Sequence, residues 1–244
     1  MLIGLLGLLV GSFLNVVILR LNTGRSIVSG RSRCFSCSHI LTWRELVPVL
    51  SFISSSGKCR NCGTRISLQY PIVELATGFL FALSAYRFFD DLPIILFASL
   101  LGIISCLVVI FVYDIKHKII PDKLVYIFIL LSIFWHYSVF GMFSLYSLDT
   151  LAGPLTFAFF ALLWLVSSGR WMGFGDAKLG LGMGLLLGSA VVTALMIAFW
   201  LGAILGLFML FIQKGRYTIK SEIPFAPFLI IGMLTVFLFN ISFF

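Results

Sequence analysis

The chain has 244 residues, 61% hydrophobic and only 11% charged, with 26 phenylalanines and a mean hydropathy of +1.13. A soluble domain carries roughly 25% charged residues, so a soluble enzyme, a disordered chain and a small disulfide-stapled module are excluded. The net charge of +8 would direct a soluble chain toward nucleic acid. In a polytopic membrane protein it instead marks the cytoplasmic loops, and no nucleic-acid partner is expected.

An uncharged run of about 20 residues is long enough to cross the hydrocarbon core. Met1–Leu19 is such a run, with no basic region before it and no small-residue cleavage site after it, which argues against a signal peptide. Residues 20–69 are polar, basic and cysteine-bearing. Tyr70–Tyr86 is apolar apart from Glu74, and Leu92–Tyr113, Leu124–Leu148 and Thr150–Gly169 are further uncharged runs. Leu179–Gln213 is too long for one ordinary span, and its glycines at 180, 182, 184 and 188 predict a break into two helices; Ile223–Phe244 closes the chain. The expected fold is an all-α polytopic membrane protein of about eight transmembrane helices. It divides into a first helix (1–19), a small cytoplasmic four-cysteine domain (20–69) and a membrane core (70–244).

Placed on alternating sides, 16 of the 17 basic residues fall on one side, including Arg20, Arg25, Arg31, Arg33, Arg44, Lys58, Arg60 and Arg65 of the first loop and Lys214, Arg216 and Lys220 of the last. That side is the cytoplasm, and both termini lie outside. Arg87, offset by Asp90 and Asp91, and Asp149 take the other side, where these aspartates are expected to be solvated.

Cys34-Phe-Ser-Cys37 and Cys59-Arg-Asn-Cys62 are two C-x2-C knuckles separated by 21 residues. Four thiolates so spaced suit a tetrahedral structural zinc ion, and a reducing cytoplasm disfavours disulfides. Gly63 suits the tight turn after the second knuckle. Cys106 lies within a span and reads as packing; His39, His117 and His136 share no ligand spacing and read as structural.

Ionisable residues in or beside spans are functional candidates. Asp114 sits where the third span ends, and Asp176 where the sixth begins, in Gly173-Phe174-Gly175-Asp176-Ala177-Lys178. Two facing carboxylates can share a proton, one activating water while the other protonates the carbonyl or the leaving amine. Gly173 and Gly175 would permit a tight turn and the approach of a substrate strand. Asp114 opposes a helix dipole at its C-terminus, while Asp176 begins a helix with Lys178 nearby. Asp176 is therefore expected to be the ionised member and Asp114 the protonated one. Asp122, after Pro121, reads as a helix cap. Glu74, Asn15 and Arg20 lie near the cytoplasmic ends of their spans, as local hydrogen-bonding groups or as part of a substrate or methylation site.

Taken together, these landmarks resemble the type IV prepilin peptidase family, the bifunctional leader peptidases and N-methyltransferases of the bacterial inner membrane. The matching pieces are Gly11-Ser-Phe-Leu-Asn15 with Arg20, both cysteine pairs, Ile66-Ser-Leu-Gln-Tyr70-Pro71-Ile-Val-Glu74, Asp114 through Pro121-Asp122, Gly173-Phe-Gly-Asp176-Ala-Lys178 and Ile223-Pro224-Phe225-Ala-Pro227. One departure is Phe35, where the family usually has proline; that could loosen the first knuckle but leaves all four ligands. The resemblance implies that the substrate is a prepilin or pseudopilin of a type IV pilus or type II secretion system. Its short basic leader would be cut at the cytoplasmic face after a glycine, with Asp114 and Asp176 catalysing the cleavage. The new amino terminus would then be methylated from S-adenosylmethionine, with the cysteine loop serving methylation or substrate docking. No Gly-rich turn after a strand marks a site for that donor.

A peptidase without methylation is the alternative within the same family. Outside it, a proton-coupled transporter would place its carboxylates near the bilayer midplane, whereas these cluster at one edge. A non-enzymatic assembly factor would leave the paired aspartates unexplained.

Overall fold

A computed structural model describes residues 1–141, 147–212 and 224–241. Lys214, Arg216, Lys220 and Ile223, and the part of the expected Leu124–Leu148 span at 142–146, lie outside the described residues. The elements are α1 (Leu2–Arg20), α2 (Leu50–Ser54), α3 (Gln69–Phe88), α4 (Ile94–His117), α5 (Asp122–Phe140), α6 (Leu148–Ser167), α7 (Phe174–Leu187), α8 (Val191–Ile212) and α9 (Ala226–Phe239), with single 3-10 turns at Trp43–Glu45 and Gly188–Ala190. Among the described residues there is no β-strand; isolated bridges pair Arg33 with Ile40 and Lys58 with Arg65. Among the described residues, five stretches are long and apolar enough to cross a membrane: α1, α4, α5, α6 and the run Phe174–Met209, which spans α7 and most of α8.

The chain forms two compact units, residues 1–97 and 98–244. In the first, α1 packs along α3, and small residues set the closeness of the pair. A Cβ on Gly7 would lie 2.8 Å from the Gly78 Cα, and one on Gly11 would lie 2.8 Å from the Glu74 Cα. Gly7 and Gly11 thus form a small-xxx-small contact face of the kind that joins helices in lipid.

In the second unit α7 is the central helix, packed on α5 and α6. The run from Leu179 divides into two helices, α7 and α8, as the sequence implies; the three glycines inside α7 are not where it breaks. They are where neighbours press closest: Phe160 on Gly180, Phe128 on Gly182, and the Ala152 backbone on Gly184. The break comes at Gly188, whose φ of +59° is accessible to glycine at little cost. Asp149 is not simply solvated, as its position outside the spans implied; its Oδ1 accepts from the Ser189 N–H at 2.8 Å and caps this break. His136 is structural as expected: it is fully buried, with Nδ1 3.0 Å from the Leu185 carbonyl and Nε2 3.4 Å from Thr150 Oγ1.

Candidate active site and metal centre

α4 continues one turn past the expected span end, so Asp114 lies inside its last turn rather than beyond it. α7 has Gly173 as its N-cap, which makes Asp176 the third helical residue. A carboxylate there reaches back to the cap amide, as in a capping box, and Asp176 accepts a hydrogen bond from the Gly173 backbone. Asp114 accepts one from the backbone of Ala226, the first residue of α9. Each carboxylate thus takes an amide from a helix N-terminus, where free N–H groups and the dipole favour negative charge.

The two aspartates are only 5% and 6% exposed, and they stand close enough for Asp176 to feel the Asp114 charge. Among the described residues, Asp114 Oδ2 and Asp176 Oδ1 are buried with no hydrogen-bond partner. Buried polar atoms are almost always satisfied, and the exceptions mark reactive sites or places where a missing water or substrate belongs. One free carboxylate oxygen on each aspartate is what a shared proton and an attacking water require.

The expected asymmetry between the two is not built as the sequence implied. Lys178 does not stand against Asp176. Its Nζ lies 2.7 Å from Asp122 Oδ1, and 5.3 Å and 5.5 Å from the ring centres of Tyr126 and Phe174. Asp122 is accordingly an ion-pair partner and makes no side-chain cap; the N-cap of α5 is Pro121. Asp114 and Asp176 each have one backbone amide and, among the described residues, neither is ion-paired with a cation, so the two carboxylates are coupled to each other.

The two glycines of the Gly-x-Gly-Asp motif differ in kind. A Cβ on Gly175 would lie 2.9 Å from the Ile120 Cβ, so the α4–α5 loop demands glycine there. Gly173 has ordinary extended backbone, φ −78° and ψ 151°, and a Cβ on it would meet nothing nearer than 3.9 Å. Its smallness serves open space rather than packing.

In the first unit, Asn15 is 1% exposed and joins α1 to the start of α3. It donates to the Gly11 and Tyr70 carbonyls at 3.3 and 3.2 Å and accepts from Gln69 Nε2 at 3.2 Å. Arg20 gathers the chain that follows α1, donating to the carbonyls of Ser26 at 2.7 Å, Ser29 at 3.0 Å and Arg31 at 3.4 Å. Glu74, buried on α3, accepts from the Val49 N–H at 2.7 Å. Val49 has φ +61°, a left-handed conformation that a β-branched residue adopts only when its surroundings hold it there.

The cysteine loop is built from two matching knuckles. In the first, the Cys34 N–H donates to the His39 carbonyl and the Ser38 N–H to the Cys34 carbonyl; in the second, Cys59 and Gly63 donate likewise to Thr64 and Cys59. Ser38 and Gly63 both take positive φ, +56° and +71°, so the turn that Gly63 announces is made by serine in the first knuckle. With Phe35 in place, the first knuckle makes the same backbone bonds as the second. All four sulfurs lie within 4.8 Å of one another, and Cys34 Sγ is 3.8 Å from Cys62 Sγ. A tetrahedral ion with bonds of about 2.3 Å to sulfur has edges of about 3.8 Å, so the four residues fit a metal. The Thr64 hydroxyl and amide hold the Cys62 thiol down, to about 6, and the Cys37 and Ser36 amides lower Cys34; both favour the metal-binding thiolate. His39 pairs loosely with Glu45 at 3.6 Å and takes no part in the cluster.

The reading of the sequence missed two partners, the Ala226 amide and the Val49 turn. Pro227, in the first turn of α9, marks a helix start, but nothing local shows that this start meets Asp114. Val49 carries no signal, since its sequence does not favour a positive φ.

Residues 5–88 match the bacterial peptidase A24 N-terminal domain and residues 100–211 match the type IV leader peptidase family. Among curated relatives, a prepilin leader peptidase/N-methyltransferase of Bacillus subtilis is 34% identical, over 97% of this chain and 92% of its own length. A protein of the same name from Myxococcus xanthus is 37% identical over 89% of this chain and 64% of its own length. A third, from Stutzerimonas stutzeri, is 32% identical over 93% and 86%. No solved structure matches.

Proposed function

The chain belongs to the type IV leader peptidase family, and from that premise we propose that it removes the leader from prepilins or pseudopilins and methylates the new amino terminus. The observation that carries the reading is the buried pair Asp114 and Asp176, each with one unpartnered oxygen and one backbone amide. With one proton shared between them, the ionised carboxylate takes a proton from water as that water attacks the scissile carbonyl. The protonated one then delivers its proton to the leaving amine, which breaks the peptide bond and restores the pair.

Gly175 lets the Asp114 and Asp176 segments close up, Gly173 leaves room for an extended substrate strand, and Lys178 fixes the start of α7 through Asp122. Cys34, Cys37, Cys59 and Cys62 would hold one structural zinc ion, a cross-link that the loop needs because it has few buried apolar residues. Asn15, Arg20 and Glu74 hold that loop to α1 and α3, and so belong to the substrate-docking or methylation half of the protein. The relatives' name, N-methyltransferase, supports the methyl transfer, and S-adenosylmethionine is the donor that the family resemblance implies. The protein sits in the inner membrane, crosses it about eight times, and faces the cytoplasm with the cysteine loop and the aspartates. Residues 1–19, 20–69 and 70–244 act as anchor, cysteine domain and peptidase core.

The test is to incubate the detergent-solubilised protein with a prepilin and S-adenosylmethionine and to take the mass of the product's amino-terminal peptide. A leaderless peptide carrying one added methyl group is expected. An intact leader would overturn the reading, and a leaderless peptide without the methyl group would restrict it to cleavage.

A further inference from the structure

The cysteine loop carries an exposed apolar patch that neither the metal centre nor the aspartates use. Trp43 and Leu46, three residues apart in and just after a 3-10 turn, are eclipsed on one side of it; Leu50 and Ile53 share a face of α2 at the same spacing. The two short helices touch each other. Trp43 is 72%, Leu46 42%, Leu50 65% and Ile53 66% exposed. The other side of the segment is already committed: Pro48 is buried and the Val49 amide is held by Glu74.

Residues 20–69 carry eight basic residues and one acidic residue, Glu45. Arg25, Arg31, Arg33, Arg44, Lys58, Arg60 and Arg65 are all exposed, and the Arg44 guanidinium lies 5.3 Å from the Trp43 ring centre. The loop is also tethered beside membrane helices at both ends. Arg20, the last residue of the apolar α1, binds three loop carbonyls, and Glu74 on α3 binds the turn that starts α2.

We infer that Trp43, Leu46, Leu50 and Ile53 insert into the cytoplasmic interface of the bilayer that α1 spans, and that the surrounding arginines and lysines bind its anionic headgroups. Charge selects this occupant. An amphipathic element rich in Trp and Leu and rimmed by cations lies in a headgroup layer, and anionic lipid attracts a juxtamembrane basic cluster. The Trp43–Arg44 pair places ring and cation together, as the layer between acyl chains and phosphates requires. An exposed patch of this kind needs a cover, and the membrane is within reach of a tether at each end.

The test uses the full-length protein with Trp135, Trp164, Trp171 and Trp200 replaced by Phe, leaving Trp43 as the sole tryptophan, reconstituted into bilayers of phosphatidylcholine alone or with phosphatidylglycerol. Blue-shifted Trp43 emission, quenched several-fold by lipids brominated on the acyl chain and more so with phosphatidylglycerol, is expected; high salt should reduce the difference between the two bilayers. Water-like emission unquenched in both would overturn the proposal, as would a patch that becomes covered only when prepilin is added. Equal quenching in both bilayers would overturn the anionic-headgroup part. If the four substitutions disturb folding, amide exchange of residues 43–53 in the wild-type protein gives the same decision. Protection should be greater in anionic bilayers than in detergent, at equal metal content, and equal exchange in both would contradict it.

Discussion

Lys178, two residues beyond Asp176, turns away from it and closes a 2.7 Å ion pair with Asp122 at the start of α5. The pair ties α7 to the start of α5, two residues after Ile120, the residue that presses on Gly175. Lys178 therefore acts on Asp176 through position rather than charge. Exposed or half-exposed pairs contribute about 0–1 kcal/mol, and Asp122 is 59% exposed in its side chain, so stability should hardly change in Lys178→Met or Asp122→Asn. Cleavage should fall by about tenfold, equivalent to roughly 1.4 kcal/mol in the transition state. The exchanged double variant, Lys178→Asp with Asp122→Lys, should recover part of it. Prepilin turnover measured for the singles and the double would settle this; additive losses would show that the pair has no positioning role.

The two motif glycines should respond oppositely to alanine. Gly175→Ala places a methyl group against Ile120, and overpacking of this kind costs about 1–3 kcal/mol; leader removal should be lost, and Ile120→Ala in the same chain should restore it. Gly173→Ala should fold with an unchanged melting temperature, because its Cβ meets open space. Loss of melting temperature in Gly173→Ala would contradict the assignment.

Glu74 and Val49 form a latch between α3 and the cysteine loop. Hydrogen bonds to charged groups contribute about 1.5–3 kcal/mol, so Glu74→Ala should raise amide exchange at residues 47–53 while leaving the metal in place. Val49→Gly should partly compensate, since glycine relieves a left-handed φ that costs of order 1–3 kcal/mol in other residues. If exchange in this segment does not change in Glu74→Ala, the latch does not hold the loop.

Metal retention should depend on pH in a defined direction. The Cys62 thiol is lowered from 9.0 to about 6 in the folded loop. A depressed thiol contributes stability above its unfolded value and loses it as pH falls through the folded one. Protons compete with the metal for the four thiolates, so the loop should keep its metal at neutral pH and release it in acid, together with the exchange protection of residues 34–62. Cys59→Ser should release it at neutral pH. Full metal content in a chain lacking all four cysteines would place the metal elsewhere.

Much of this was legible in the chain because the bilayer simplifies its sequence. Uncharged runs fix where helices lie, and a carboxylate at the end of such a run stands out, so Asp114 and Asp176 could be named before their proximity was known. The two cysteine knuckles were legible for the same reason, being a local pattern with local chemistry. What could not be read was contact between distant segments. The α7 glycines resemble helix breakers until Phe128, Phe160 and Ala152 are seen packed against them. Lys178 resembles a partner for Asp176 until Asp122, 56 residues earlier, takes it. The α9 amide on Asp114 and the Glu74 hold on Val49 belong to the same class, set by tertiary packing rather than by spacing.

The central claim is that Asp114 and Asp176 together cleave the prepilin. Asparagine at either position removes a buried charge that lacks a full set of partners, so Asp114→Asn and Asp176→Asn should be as stable as the parent or more stable, by up to about 2 kcal/mol. The most direct measurement is single-turnover processing of a purified prepilin by each of these variants, with the product's amino-terminal peptide read by mass alongside the melting temperature. The account predicts folded proteins that leave the leader fully attached and the substrate unmethylated. Leader removal at the parent rate by either folded variant would contradict it.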